Sequence, residues 1–127
     1  MQSKPLALLA VAVNLLLTAD LLFAHHSQAA YDLNREITVT GTITEFELVQ
    51  PHAKIHFQVK DTNGNLAEWM AQGPTPVSAR RDGWGSRTIK PGDQVSITGH
   101  PARNGSRTMN VRKLVVNGKV MRDGPPD

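Results

Sequence analysis

From residue 36 onward, the apolar positions of this chain fall on alternate residues. Ile37, Val39 and Ile43 alternate with Thr38, Thr40, Thr42 and Thr44, a period of two in β-branched residues that marks a half-buried strand over residues 36–48. Gly41 falls on the apolar face, where a missing side chain lets the strand bend or another backbone come close. The apolar phase then slips from odd at Ile43 to even at Phe46 and Leu48, which predicts a bulge near Thr44 and Glu45. Gln50-Pro51 breaks the strand. The next, residues 52–60, puts Ala53, Ile55, Phe57 and Val59 on one face and His52, Lys54, His56, Gln58 and Lys60 on the other. Asn63-Gly64 supplies the positive-φ positions of a hairpin turn before a third strand, Leu66–Gln72, with Trp69 and Met70 on opposite faces.

The strand pattern lapses over residues 73–88. Thr75-Pro76 suits a helix start, with threonine as cap and proline in the first turn, and residues 77–82 form about two turns stopped by Gly83. Lys90-Pro91-Gly92-Asp93 is a tight turn. A fourth strand at residues 94–99 puts Val95 and Ile97 inward, and a polar loop leads to a fifth at residues 107–116. Asn117-Gly118 turns the chain into a short run at 119–121, ahead of a proline-rich tail. Three meandering strands, a short helix and two more strands predict an all-β protein, a five-stranded OB-fold-like β-barrel with the helix between strands 3 and 4. In such a barrel the face of the second and third strands commonly carries the ligand.

The N-terminal stretch has a different pattern. Lys4 precedes an apolar run over residues 6–17 broken by Asn14; Thr18, Ala19 and Asp20 interrupt it, and residues 21–24 close it. A charged start, an apolar run and a small residue at the cut describe a secretory signal cleaved after Ala24, with Ala19 as the competing cut. A membrane span needs about 20 consecutive apolar residues, and Asn14 and Asp20 lie inside this one. The expected organisation is a signal at 1–24, a barrel domain at 25–122 and a loose tail at 123–127, in a periplasmic or secreted protein. Membrane contact is expected only through the signal, if it stays uncleaved.

Composition narrows the chemistry. The chain has 127 residues and no cysteine, which removes disulfides, thiolate metal sites and a cysteine nucleophile. A metal must then use histidine, carboxylate or main-chain groups. Net charge is +3, without a block of like charge in either half. Cleavage after Ala24 would start the mature chain at His25-His26, joining an imidazole to an α-amine that titrates at about 7.7–8.0. Nitrogen-rich tetragonal sets suit Cu(II), so copper is the candidate cofactor, with His25, His26, His52 and His56 as candidate ligands and His100 behind them. The competing reading is a solvated polar end with surface histidines. A second class of function is a metal-independent module that uses Arg80, Arg81 and Arg107 to hold an anionic ligand, a glycan or an envelope protein. Nucleic acid is not an expected partner, given export and the few aromatic residues. Asp32, Glu45, Glu47 and Glu68 could act as acids or bases, but no paired-carboxylate or triad spacing stands out, so a binding protein is expected rather than an enzyme.

The motifs His25-His26-Ser27, Tyr31-Asp32, Thr40-Gly41-Thr42, Pro51-His52-Ala53, Gly83-Trp84 and Lys90-Pro91-Gly92-Asp93 occur in an order that resembles a family of small exported bacterial proteins of unknown function. The resemblance covers nearly all of the chain after Ala24. It implies an exported OB-like barrel and says little about activity. Gln28 and Lys54 stand where that family usually has aromatic residues.

Overall fold

The computed structural model describes residues 28–126. The chain divides into a unit of residues 1–30 and a unit Tyr31–Asp127. The signal segment, both candidate cuts, His25 and His26 therefore lie outside the described residues. Among the described residues, no helix is long and apolar enough to cross a membrane.

The second unit contains β1 (Ile37–Glu47), β2 (Lys54–Lys60), β3 (Leu66–Gln72), α1 (Pro76–Arg81), β4 (Gln94–Pro101), β5 (Thr108–Val116) and β6 (Lys119–Asp123). The strands form one sheet in the order β3-β2-β1-β4-β5-β6, and β3 also pairs with β5 in parallel. That last pairing closes the first five strands into the expected barrel, with a single short helix between β3 and β4. β6 is a hairpin strand added outside β5.

β1 serves two neighbours. Its first half pairs with β4, from Ile37 opposite Gly99 to Thr42 opposite Gln94. Its second half pairs with β2, from Thr42 opposite Gln58 to Glu47 opposite Lys54. Gly41 sits where the strand passes from one partner to the other. A Cβ there would collide with the Gln58 carbonyl and press on the Phe57 ring at 3.1 Å, so the close approach predicted for this glycine is real. The predicted bulge is also present: the register slips between Ile43 and Glu45.

The barrel closes over Ile43, Ala53, Ile55, Phe57, Ala71, Ile97, Met109 and Leu114, all fully buried. At one end, Trp84 lies edge-on to Phe46, with centroids 6.4 Å apart and planes at 62°, and its indole N–H donates to the Met121 carbonyl at 3.4 Å. Gly73 makes room for that indole, since a Cβ there would lie 2.6 Å from the ring. The helix begins as its sequence requires: the Thr75 hydroxyl accepts from the Ser78 N–H, Pro76 opens the first turn, and Gly83 follows at φ +82°.

Three boundaries differ from the sequence pattern by two residues. β2 starts at Lys54 rather than His52, because the backbone of Ala53 bonds instead to Pro74 and Gly73, at 2.9 and 2.7 Å. β4 continues to Pro101, because a second slip, between Thr98 and Gly99, renews its pairing with β5. β6 reaches Asp123, inside the expected loose tail, because Asp123 accepts from Arg112 and Lys113 at 3.2 and 2.9 Å.

Candidate functional site

The slip in β1 decides which side chains reach the outer face of β1 and β2. Strict alternation from buried Ile43 would aim Glu45 into the barrel. With Thr44 as the extra residue, Thr44 and Glu45 are both exposed, and the apolar phase resumes at half-buried Phe46. Glu45 then stands opposite His56 on β2, and Glu47 opposite Lys54. His56 faces outward because Ile55 and Phe57 on either side are fully buried.

His56 Nε2 lies 2.8 Å from Glu47 Oε1, and the two side chains are 33% and 32% exposed. Glu45 joins them: one ligand atom from each of Glu45, Glu47 and His56 can be chosen so that all lie within 4.8 Å of one another. Metal–oxygen and metal–nitrogen bonds of about 2.0–2.2 Å bring tetrahedral ligand atoms to roughly 3.3–3.5 Å apart. The side chains would have to turn to bring all three ligand atoms to that spacing. Lys54 shares the outward face and opposes Glu47 in the register, so the set mixes two carboxylates, an imidazole and a neighbouring ammonium.

The other predicted residues are dispersed. His52 lies ahead of β2, half-buried, with Nδ1 enclosed and lacking a hydrogen-bond partner, and it is not part of the cluster. His100 Nδ1 is 2.8 Å from the Arg35 carbonyl. Arg80 and Arg81 are exposed in the last turn of α1, where cations also favour the negative end of a helix. Arg107 is exposed just before β5, and its carbonyl accepts from the Met70 N–H at 3.0 Å. Arg112 is bound to Glu36 at 2.6 Å; that hydrogen bond, with the two carboxylates around it, raises its pKa.

Sequence reasoning named Glu45 and Glu47 only as possible acids or bases and did not join them to His56. The signal was present in Glu45-Phe46-Glu47, which alternates polar and apolar once the bulge is placed. What was missing was the partner strand's register.

These features define a small OB-fold barrel with a mixed imidazole–carboxylate cluster on the outer face of β1 and β2. The chain belongs to DUF6152, a family of unknown function whose model matches residues 13–112. No curated protein matches it in sequence. Similar solved structures include two crystal forms of the mitochondrial single-stranded DNA binding protein Rim1 from S. cerevisiae, each 11% identical with a TM-score of 0.50. The match covers 71% of this chain and 96% of that one in one form, and 72% and 97% in the other. At that identity the likeness is one of fold. It nevertheless corrects one expectation: chains of this fold include single-stranded DNA-binding proteins, so nucleic acid does not stand excluded as a partner.

Proposed function

We propose that this protein is a small exported binding protein, not an enzyme, and that it takes up a divalent transition-metal cation on the outer face of β1 and β2. His56 and Glu47 are the first ligands and Glu45 the third. The observation that carries this reading is the convergence of an imidazole and two carboxylates on one face, with the closest pair at 2.8 Å. Imidazole suits zinc, copper, iron and nickel, and Cu(II) heads the affinity order of such sites. Copper is therefore the first metal to try. Export rests on the sequence of residues 1–24, and cleavage after Ala24 would expose the amine and imidazole of His25 as a nitrogen pair of their own.

Calorimetric titration of the chain with Cu(II) and Zn(II) tests the reading. Stoichiometric binding that is lost in His56→Ala supports it. Binding unchanged by His56→Ala, or no binding at micromolar metal, removes it. Single-stranded nucleic acid is the second reading, favoured by the fold likeness to a single-stranded DNA-binding protein. Salt-dependent anisotropy of a labelled oligothymidylate, unaffected by His56→Ala, would favour it over the metal.

A further inference from the structure

The geometry points to Met70 as a further ligand of this centre, one that turns it toward copper in the Cu(I) state. The inference rests on the cation-binding reading above.

Glu45 on β1 is opposite His56 on β2, and His56 is opposite Met70 on β3. Directly opposed residues of antiparallel strands project to the same face, with Cβ atoms about 4.5–5.5 Å apart. The neighbours of Met70 fix its direction independently: Ala71 is fully buried, and Trp69 packs on the core beside Phe57, with ring centroids 6.3 Å apart. Met70, between them, therefore faces outward, and it is half-buried there. A carboxylate, an imidazole and a thioether thus form one row across three strands, with Glu47 bonded to the imidazole.

The adjacent rows are committed elsewhere. On one side Gln58 donates to Glu68 at 2.5 Å. On the other, Gln72 stands opposite Lys54 and accepts from the Tyr31 hydroxyl at 3.3 Å. Only the central row combines nitrogen, oxygen and sulfur donors. Carboxylate and imidazole alone would discriminate among late divalent metals chiefly by the common affinity order, whereas a thioether is a soft ligand that selects Cu(I). His56 Nε2 and the Met70 sulfur would hold that ion once Nε2 gives up its bond to Glu47. The alternative role for Met70 is to fill space on the sheet surface, a role leucine would perform equally well.

The test compares Met70→Leu and His56→Ala with the parent chain, all in a His25→Ala, His26→Ala background that removes the terminal imidazoles. Cu(I) affinity is measured anaerobically against a chromophoric chelator, and Zn(II) affinity by calorimetry. Met70→Leu is expected to weaken Cu(I) binding at least tenfold and to leave Zn(II) within twofold. X-ray absorption of the Cu(I) form should show a sulfur neighbour that the variant lacks. Equal Cu(I) affinity in Met70→Leu and the parent, with both metals lost in His56→Ala, overturns the role of Met70 and leaves the cation site standing. A parent that takes up neither metal overturns both.

Discussion

Glu45 stands directly opposite His56 across β1 and β2, on the solvent side of the barrel, because Thr44 is one residue more than the ladder needs. Were Thr44 paired in the ladder instead, alternation would carry Glu45 into the core and Phe46 out to solvent. Deletion of Thr44 leaves Ile43, Glu45 and Phe46 in unbroken alternation, so Glu45 is expected to stay outside and Phe46 beside Trp84. The variant loses the bend that the bulge provides, at about 1–3 kcal/mol. For a domain near 100 residues this lowers Tm by at least about 4 °C. Thr44→Ala, at an exposed position, should stay within about 0.5 kcal/mol of the parent. Thermal unfolding followed by tryptophan fluorescence distinguishes the two; similar losses in both would mean that the threonine side chain, not the extra residue, matters.

Glu47→Gln separates binding from stability. The Glu47–His56 pair is about one-third exposed on both sides, and partly solvated pairs contribute no more than about 1 kcal/mol. The variant should thus unfold within that margin of the parent. Its Cu(II) or Zn(II) affinity should fall at least about tenfold, since a charged ligand is replaced by a neutral one. Urea unfolding and calorimetric titration on the same samples give both numbers. An unchanged metal affinity would remove Glu47 from the ligand set.

The strands and the helix could be read from the chain because each announces itself locally. Ile37, Val39 and Ile43 alternate with threonines, Asn63-Gly64 marks a turn, and Thr75-Pro76 opens a helix. Even the bulge showed, as a change of apolar parity between Ile43 and Phe46. The start of β2 did not, because Ala53 bonds to Gly73 and Pro74, some twenty residues on, and no local pattern reports such a partner. The site was half legible for the same reason. His56 could be assigned to the outer face from its own strand. Its neighbours, Glu47 at 2.8 Å and Met70 in the register, lie on other strands, and the pattern along β2 does not report how those strands align against it. His52 was paired with His56 by period alone, and the early turn takes it off that strand.

Gly41 carries a prediction about the barrel itself. A methyl group at this position meets the Gln58 carbonyl and the Phe57 ring, neither of which can move without opening β1 from β2. Gly41→Ala should cost about 1–3 kcal/mol, as overpacking of a tight interior does. Gly85→Ala is the control, since nothing lies within 4 Å of the added atom and no positive φ is imposed. It should leave urea unfolding unchanged within about 0.5 kcal/mol. Equal effects of the two would mean that lost backbone freedom, rather than the close approach, accounts for the glycine.

The β2–β3 hairpin should make stability depend on acid through Asp61. Its Oδ1 accepts from the Asn63 and Asn65 N–H groups at 2.8 and 2.9 Å. The Asn65 backbone bond is the largest influence; with the Asn63 bond it outweighs the opposing desolvation and lowers the pKa of this carboxyl from its ordinary value. A depressed folded-state pKa means that the unfolded chain binds the proton more readily. The contribution is then fully present above the unfolded value of about 3.9 and disappears as pH falls through the lower, folded one. Asp93 and Asp123 are lowered too, Asp93 chiefly by Asn117 and Asp123 chiefly by Lys113, so the acid limb of the parent alone does not isolate Asp61. The difference between parent and Asp61→Asn does. It should favour the parent at pH 7 and narrow steadily below about pH 4. Urea unfolding of both proteins at pH 7 and pH 2.5 measures it; a gap of the same size at both pH values would show that the amide fails to support the turn for reasons other than charge.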